Sequence, residues 1–270
     1  MKIVKGKAIG IIQARCSSSR LPGKVLLPLA GIPMIHHIYE RALSCELLSD
    51  VIVATSNEET DKPLVKYCQK NMIPVFMGSL NNVLSRYVQI LNNTNAEYFV
   101  RITGDCPLIH PNFIDFQIHT LRANDADFIR LTPNMSLLDG QGVMSARSLF
   151  CIARKSDSDD DKEHVGSIYI GNNLSMFNII KVKVLSEYYN IDMSLSVDEI
   201  SDYDFISCLY EKFYNGGILD LTLIADYLTN EKLLVAERKN RNQSEINQKL
   251  EKKKLFEKDI LGKKVEWIWV

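Results

Sequence analysis

Arg15, Arg20 and Lys24 fall within one short segment that passes from the apolar run 9–12 through small polar residues to Pro22-Gly23-Lys24. A β-branched run ending this way reads as a buried strand that empties into a loop rich in backbone and side-chain donors. Exposed N–H groups at a strand-to-helix turn already favour anions, and guanidinium and ammonium groups add fixed positive charge. The chemistry that suits such a loop is polyphosphate binding. Its spacing matches neither the P-loop lysine motif nor Gly-x-Gly-x-x-Gly.

The elements that position this loop follow in order. A helix is predicted over 32–43, with Pro33 near its start. A second buried strand covers 50–56, a helix 60–71, a short strand 73–78 and a helix from 79 to 95. A fourth strand covers 97–105 and exits on Asp105. This alternation predicts a doubly wound, mostly parallel α/β sheet, in which ligands bind beyond the carboxyl ends of the strands. Arg15, Lys24, Thr55 and Asp105 then come within reach of one small molecule. Further on, 111–124 reads as a helix, 127–131 as a strand, 133–142 as a loop and 143–154 as resumed order. Residues 156–162 read as a solvated, mobile acidic loop, 163–170 as the opening of a helix, and 179–184 as a strand. Ser201-Asp202-Tyr203-Asp204 reads as the cap of a helix reaching Tyr214.

The chain has 270 residues, 46% of them hydrophobic, enough for a substantial core. One nucleotide-binding-size domain over 1–230 is expected, with a charged helical tail over 231–270 that ends in Trp267 and Trp269 and docks on the body or on a second copy. The net charge of −1 argues against a nucleic-acid partner. No apolar run long enough for a membrane span and no cleavable leader are visible, so a cytoplasmic protein is expected. The six cysteines are scattered without paired spacing, which predicts reduced thiols; Cys16 and Cys106 read as fillers beside turns. His36 and His37 read as helix packing and surface residues.

Four motifs in order carry a resemblance: 11–15 with 18–26, Ile102-Thr103-Gly104-Asp105-Cys106-Pro107-Leu108-Ile109, Glu163-His164-Val165, and Ser196-Val197-Asp198-Glu199. Together they are similar to the spore-coat polysaccharide cytidylyltransferases, and through them to the synthetases of CMP-sialic acid and CMP-ulosonates. The resemblance spans about 7–210. It implies the Rossmann-like fold of nucleotide-diphospho-sugar transferases and a cytoplasmic homodimer contacting through 143–190. The implied reaction is attack of a small anionic acceptor, such as a sugar acid, on the α-phosphate of CTP, with pyrophosphate leaving. Arg15, Lys24 and Asp105 are the implied catalytic residues. Gln13, Ala14, Arg15, Ser18, Ser19, Arg20, Lys24, Thr55, Arg86, Thr103 and Asp105 are the implied nucleotide contacts, and Gln141 and His164 the acceptor contacts. Asp105 and Asp198 match the positions that hold Mg²⁺, a hard cation served by two carboxylates plus phosphate and water oxygens.

Each assignment has a plainer counterpart. The loop cations also suit an ordinary charged turn, Asp105 a turn residue, Asp198 the cap of the next helix, and Arg86 a helix-surface arginine. Gln13 and Thr103 also suit backbone-satisfied strand ends, and His164 a structural cap. The chain departs from the family at Ser17, where Gly is usual, and at Asn82, where an acid is common. It also departs at Ser194, where a base is common, and in a shorter, less acidic stretch over 139–145. Two other readings are a nucleotide-sugar glycosyltransferase, for which Asp157-Ser158-Asp159 supplies a formal Asp-x-Asp, and a non-catalytic nucleotide-binding subunit.

Overall fold

In the computed structural model, residues 6–131, 138, 140–185, 193–231 and 263–268 are described, the last of these segments by its backbone. The first strand, β1 (Ala8–Gln13), lies between two parallel neighbours, β4 (Asp50–Ser56) and β6 (Tyr98–Thr103), and β5 (Val75–Gly78) adds beyond β4. On the other flank, β8 (Gln141–Ser145) runs antiparallel to β6 and to β7 (Phe128–Leu131), and β9 (Ile179–Leu185) is parallel to β7. The final strand, β10 (Lys263–Ile268), pairs in parallel with β9, giving the order β10-β9-β7-β8-β6-β1-β4-β5. The expected doubly wound, mostly parallel sheet is present. The rest of the predicted tail, 232–262, lies outside the described residues, as do 132–137, Asp139 and 186–192.

Strand alternation splits the core in two. Ala8, Ile12, Val100 and Ile102 face a layer built by α1 (Met34–Leu43), α2 (Lys62–Lys70), α4 (Pro111–Asn124), α8 (Ile200–Phe213) and α9 (Leu221–Asn230). Ile9, Ile11, Phe99 and Met144 face α3 (Val83–Thr94), α5 (Ala146–Lys155) and α7 (Ser167–Asn172). Each such side chain taken wholly out of water contributes about 1.5–3 kcal/mol. Caps fix where the helices begin: Asn82 Oδ1 accepts from Ser85 N at 2.9 Å to start α3, and Ser145 Oγ accepts from Ser148 N at 3.2 Å to start α5.

Several boundaries differ from the sequence reading for local reasons. Ile32–Pro33 is not helix but β3, paired with β2 (Pro28–Leu29) across an Ala30-Gly31 turn with φ of 47° and 83°, the tight hairpin turn that needs two left-handed residues. Gln141 is strand rather than loop. The acidic stretch is not a mobile loop: it holds α6 (Asp159–Glu163), capped by Ser158 Oγ on Asp161 N at 3.1 Å. Asp161 is buried, accepts from Tyr169 N at 2.6 Å and from the Ser156 hydroxyl, and so pins α6 to the start of α7. The start of α8 is set by Glu199 and Asp202 in a reciprocal capping box, two residues before the start of the expected 201–204 cap, to which Asp202 belongs.

Candidate active site

A cleft of about 730 Å³ opens beyond the carboxyl ends of β1 and β6. Among the residues on its walls are Gln13, Ala14, Arg15, Ser18, Ser19, Arg20 and Lys24 from the first loop, Arg86 from α3, Arg101, Thr103 and Asp105 from β6 and its exit, and Asp159, Glu163 and His164 from α6 and its end.

The two loops that flank it are tied together by backbone. Gly104 N donates to Gln13 O at 2.8 Å, and a Cβ on Gly104 would stand 2.8 Å from Ala14 Cβ and 2.9 Å from Gln13 O, so only glycine permits the approach. Asp61, wholly buried, receives Cys16 N at 2.6 Å, Ser56 N at 3.2 Å and Ser56 Oγ at 2.5 Å. It thereby fixes the start of the cationic loop against the end of β4. Gly23, at φ 72°, then turns the chain into the short helical turn that carries Lys24.

Lys24 is buried, and its Nζ meets Asp105 Oδ2 at 3.0 Å, Asp198 Oδ1 at 3.1 Å and Val197 O at 2.7 Å. All three ammonium protons are thus engaged. Arg20 adds a second cation to the same Asp198 oxygen at 2.8 Å. Val197 N donates to Asp105 O at 2.8 Å, so two segments far apart in sequence present their carboxylates to one point. Asp198 is free of capping duty because Glu199 and Asp202 perform it; Asp202 Oδ2 accepts from the backbone N–H of Asp198 itself at 2.9 Å.

Arg86 is not on the helix surface. It is 1% exposed, donates through NH1 to Ala54 O at 3.2 Å, and leaves Nε without a partner. Burial lowers its pKa. A buried guanidinium on a cleft wall with an unused donor is poised for a ligand oxygen.

Three expected site residues are not on the walls, and strand parity explains two of them, Thr55 and Gln141. Thr55 shares a face with Val53 toward α1 and α2; it is wholly buried, with Oγ1 unpartnered. Gln141 pairs in register with Ile102 and faces α4, where its Oε1 accepts from His110 N at 2.6 Å. Gly142 takes the position toward the cleft instead. Asp198 stands beside the cleft through Lys24. Of the Asp157-Ser158-Asp159 triplet, only Asp159 reaches a wall, and the Ser158 hydroxyl is spent on its cap.

Three contributors escaped the sequence reading. Asp61 left only a weak signal, an acid two residues before Pro63 at a helix start. Arg101 left a clearer one, a charge in an apolar strand on the same face as Thr103. Asp159 was hidden in what resembled a solvated charge run; Glu163, already part of a recognised motif, stands with its Oε1 3.9 Å from Arg15 NH2.

The profile of the cytidylyltransferase family matches residues 9–234, which hold every wall of this cleft. The chain belongs to the cytidylyltransferase family. Among relatives, it is 31% identical over 207 residues to the spore coat polysaccharide biosynthesis protein SpsF of Bacillus subtilis, covering 75% of this chain and 85% of that protein. It is 32% identical over 120 residues to 3-deoxy-manno-octulosonate cytidylyltransferase of Escherichia coli, covering 44% and 48%. A cytidylyltransferase from Leptospira borgpetersenii has the same fold, with a TM-score of 0.77 at 24% identity over 85% of this chain and 97% of that one. Two of the four motifs, 11–26 and 102–109, lie at the exits of β1 and β6, where the cleft is built. All six cysteines of this cytidylyltransferase are free, and no helix among the described residues is long and apolar enough to cross a membrane.

Proposed function

We propose that this chain transfers CMP from CTP to a small anionic acceptor, a sugar acid in the simplest case, with release of pyrophosphate for surface polysaccharide assembly. The observation that carries the reading is the meeting of Lys24, Asp105 and Asp198 at the edge of a cleft lined by five basic and three acidic side chains. An acceptor oxygen attacks the α-phosphorus, the bond to the bridging oxygen breaks, and pyrophosphate takes the electron pair; a hydroxyl proton passes to water. Such chemistry asks for positioning and charge neutralisation rather than a protein nucleophile.

Each residue then has a task. Arg15, Arg20 and the hydroxyls of Ser18 and Ser19 receive the β- and γ-phosphates. Lys24 exchanges one of its present acceptors for an α-phosphate oxygen. Arg86, Gln13 and Thr103 hold the nucleoside. The donor set of Asp105 and Asp198 fits a hard divalent cation, magnesium in this reading, because two carboxylate oxygens already aim at one cationic point. Bound there, it supplies further neutralisation of the triphosphate. A homodimer through 143–190 belongs to the same reading and predicts a solution mass twice that of the chain.

The test is pyrophosphate release with each of the four ribonucleoside triphosphates and Mg²⁺, against sugar acids, sugar phosphates and phosphonates. Release that requires CTP, an acceptor, Lys24 and Asp105 supports the reading. CMP-sugar turnover in its place supports a glycosyltransferase, and CTP binding indifferent to Mg²⁺ without turnover supports a binding subunit.

A further inference from the structure

The cations of the cleft are not equally occupied. Arg15 faces Glu163, Arg20 pairs with Asp198, and Lys24 with two carboxylates. Arg101 differs. Among the described residues its guanidinium touches only neutral groups, Gln13 Oε1 from Nε at 3.3 Å and the Tyr87 side chain, and no carboxylate pairs with it. It is a half-buried cation on the cleft floor that lacks a counter-charge.

Its place across the sheet is also distinct. The loop that carries Arg15, Arg20 and Lys24 leaves β1 and is tied toward β4 through Ala14 N to Ala54 O and through Cys16 N to Asp61, and Lys24 reaches back to Asp105 at the exit of β6. Arg86 lies farther the same way, over Ala54 and Gly78. Arg101 lies on β6, on the side toward β8, where its register partner is Gly142. Directly opposed residues on an antiparallel pair share a face, with Cβ positions about 5 Å apart. A Cβ on Gly142 would meet nothing within 4 Å, so open space lies beside the Arg101 side chain. His164 and Glu163 form the wall of the same cleft.

We propose that Arg101 and the gap above Gly142 form the subsite for the acceptor's oxyanion, making Arg101 a specificity-determining residue. This rests on the nucleotidyl-transfer reading above. One uncompensated guanidinium matches one carboxylate or phosphate group, and the bare glycine leaves room for the acceptor body. Gln13 holds Nε and Tyr87 takes part of the guanidinium, and the remaining N–H groups are left to the ligand. The nucleotide occupies the β1–β5 side and the acceptor the β6–β8 side, with the α-phosphate between them.

The experiment uses the full chain saturated with the non-transferable α,β-methylene analogue of CTP. Binding of 3-deoxy-manno-octulosonate, glucuronate and glucose 6-phosphate is measured by calorimetry, with methyl glucuronate ester and glucose as neutral controls. The variants are Arg101→Met and Gly142→Val; a Cβ at 142 meets nothing within 4 Å and valine suits a strand, so the side chain fills the gap, and the circular dichroism spectrum is expected to be retained. The expected result is that a charged probe outbinds its neutral control and that each variant weakens it about ten- to hundredfold, while affinity for the analogue changes less than twofold. The carboxylate and phosphate probes decide which oxyanion is preferred. Loss of analogue affinity in Arg101→Met in step with the probe, no effect of Gly142→Val, or no preference of the wild-type chain for any charged probe overturns the proposal. Failure of the wild-type chain to bind the analogue at all overturns the nucleotidyl-transfer reading instead.

Discussion

The two halves of the cleft are built to different standards of internal satisfaction. On the β1 side, Asp61 accepts three hydrogen bonds, Lys24 donates three, and the Gly104 backbone is stitched to Gln13. On the β8 side, Arg101 has no counter-charge among the described residues, Glu163 stands 3.9 Å from Arg15, and a five-residue helix makes the wall. Preorganised charge belongs where charge develops in a reaction, and its orientation is prepaid during folding. The looser half suits a part of the site in which substrates differ. Under the proposed reading, the contrast assigns the rigid half to the shared chemistry and the looser half to the choice of acceptor.

The contrast can be broken at its strongest point. Lys24→Ala or Asp105→Ala is expected to lower kcat/KM for CTP-dependent pyrophosphate release by about a thousandfold or more, with the circular dichroism spectrum retained. A small loss in both would mean that the stitched half is not where the chemistry occurs. Asp61→Ala probes scaffold rather than contact: it strands the donors of Cys16 and Ser56, so KM for CTP should rise about ten- to hundredfold. The melting temperature should fall by about 5–10 °C, since buried unsatisfied donors cost a few kcal/mol. In the looser half, Glu163→Gln and His164→Ala should raise KM for the acceptor about two- to fivefold and leave CTP affinity unchanged; equal effects on both substrates would erase the distinction between halves.

A control lies outside both halves. His110 caps α4 by accepting from Phe113 N at 3.4 Å, and burial, with Arg41 nearby, pushes its imidazole down to about 4. The folded chain therefore binds this proton less readily than the unfolded chain, whose imidazole titrates near 6.5. Stability from this group is intact above about pH 6.5 and is lost as pH falls toward 4, up to about 3 kcal/mol. His110→Asn keeps a capping acceptor and removes the titration, so urea midpoints at pH 7, 6 and 5 should lie closer together than in the wild type, with turnover unaltered.

The stitched half was the legible one. Arg15, Arg20, Lys24 and Asp105 lie in short contiguous motifs at strand exits, where local pattern and chain order suffice to locate them. The alternation of strands and helices and the mostly parallel sheet followed from the apolar runs, whereas the strand order depends on pairings between segments far apart in sequence. Thr55 and Gln141 were misplaced because a strand residue and its neighbour differ only in parity, which depends on register with β6 or β5 rather than on the residue type. Asp159 was missed because a charge run resembles solvated loop until a buried partner such as Asp161 is seen to order it. Arg101 needed the absence of a counter-charge, which is a property of the assembled cleft.

The last strand has a consequence for handling the protein. The family profile ends at residue 234, yet β10, well past that point, hydrogen-bonds along β9 through Lys263 to Ile268. A version trimmed to the matched segment would uncover the row of N–H and C=O groups along β9. Bare strand edges recruit other strands. Such a trimmed chain is expected to self-associate at concentrations where the full chain stays dispersed, which light scattering on the two versions would show.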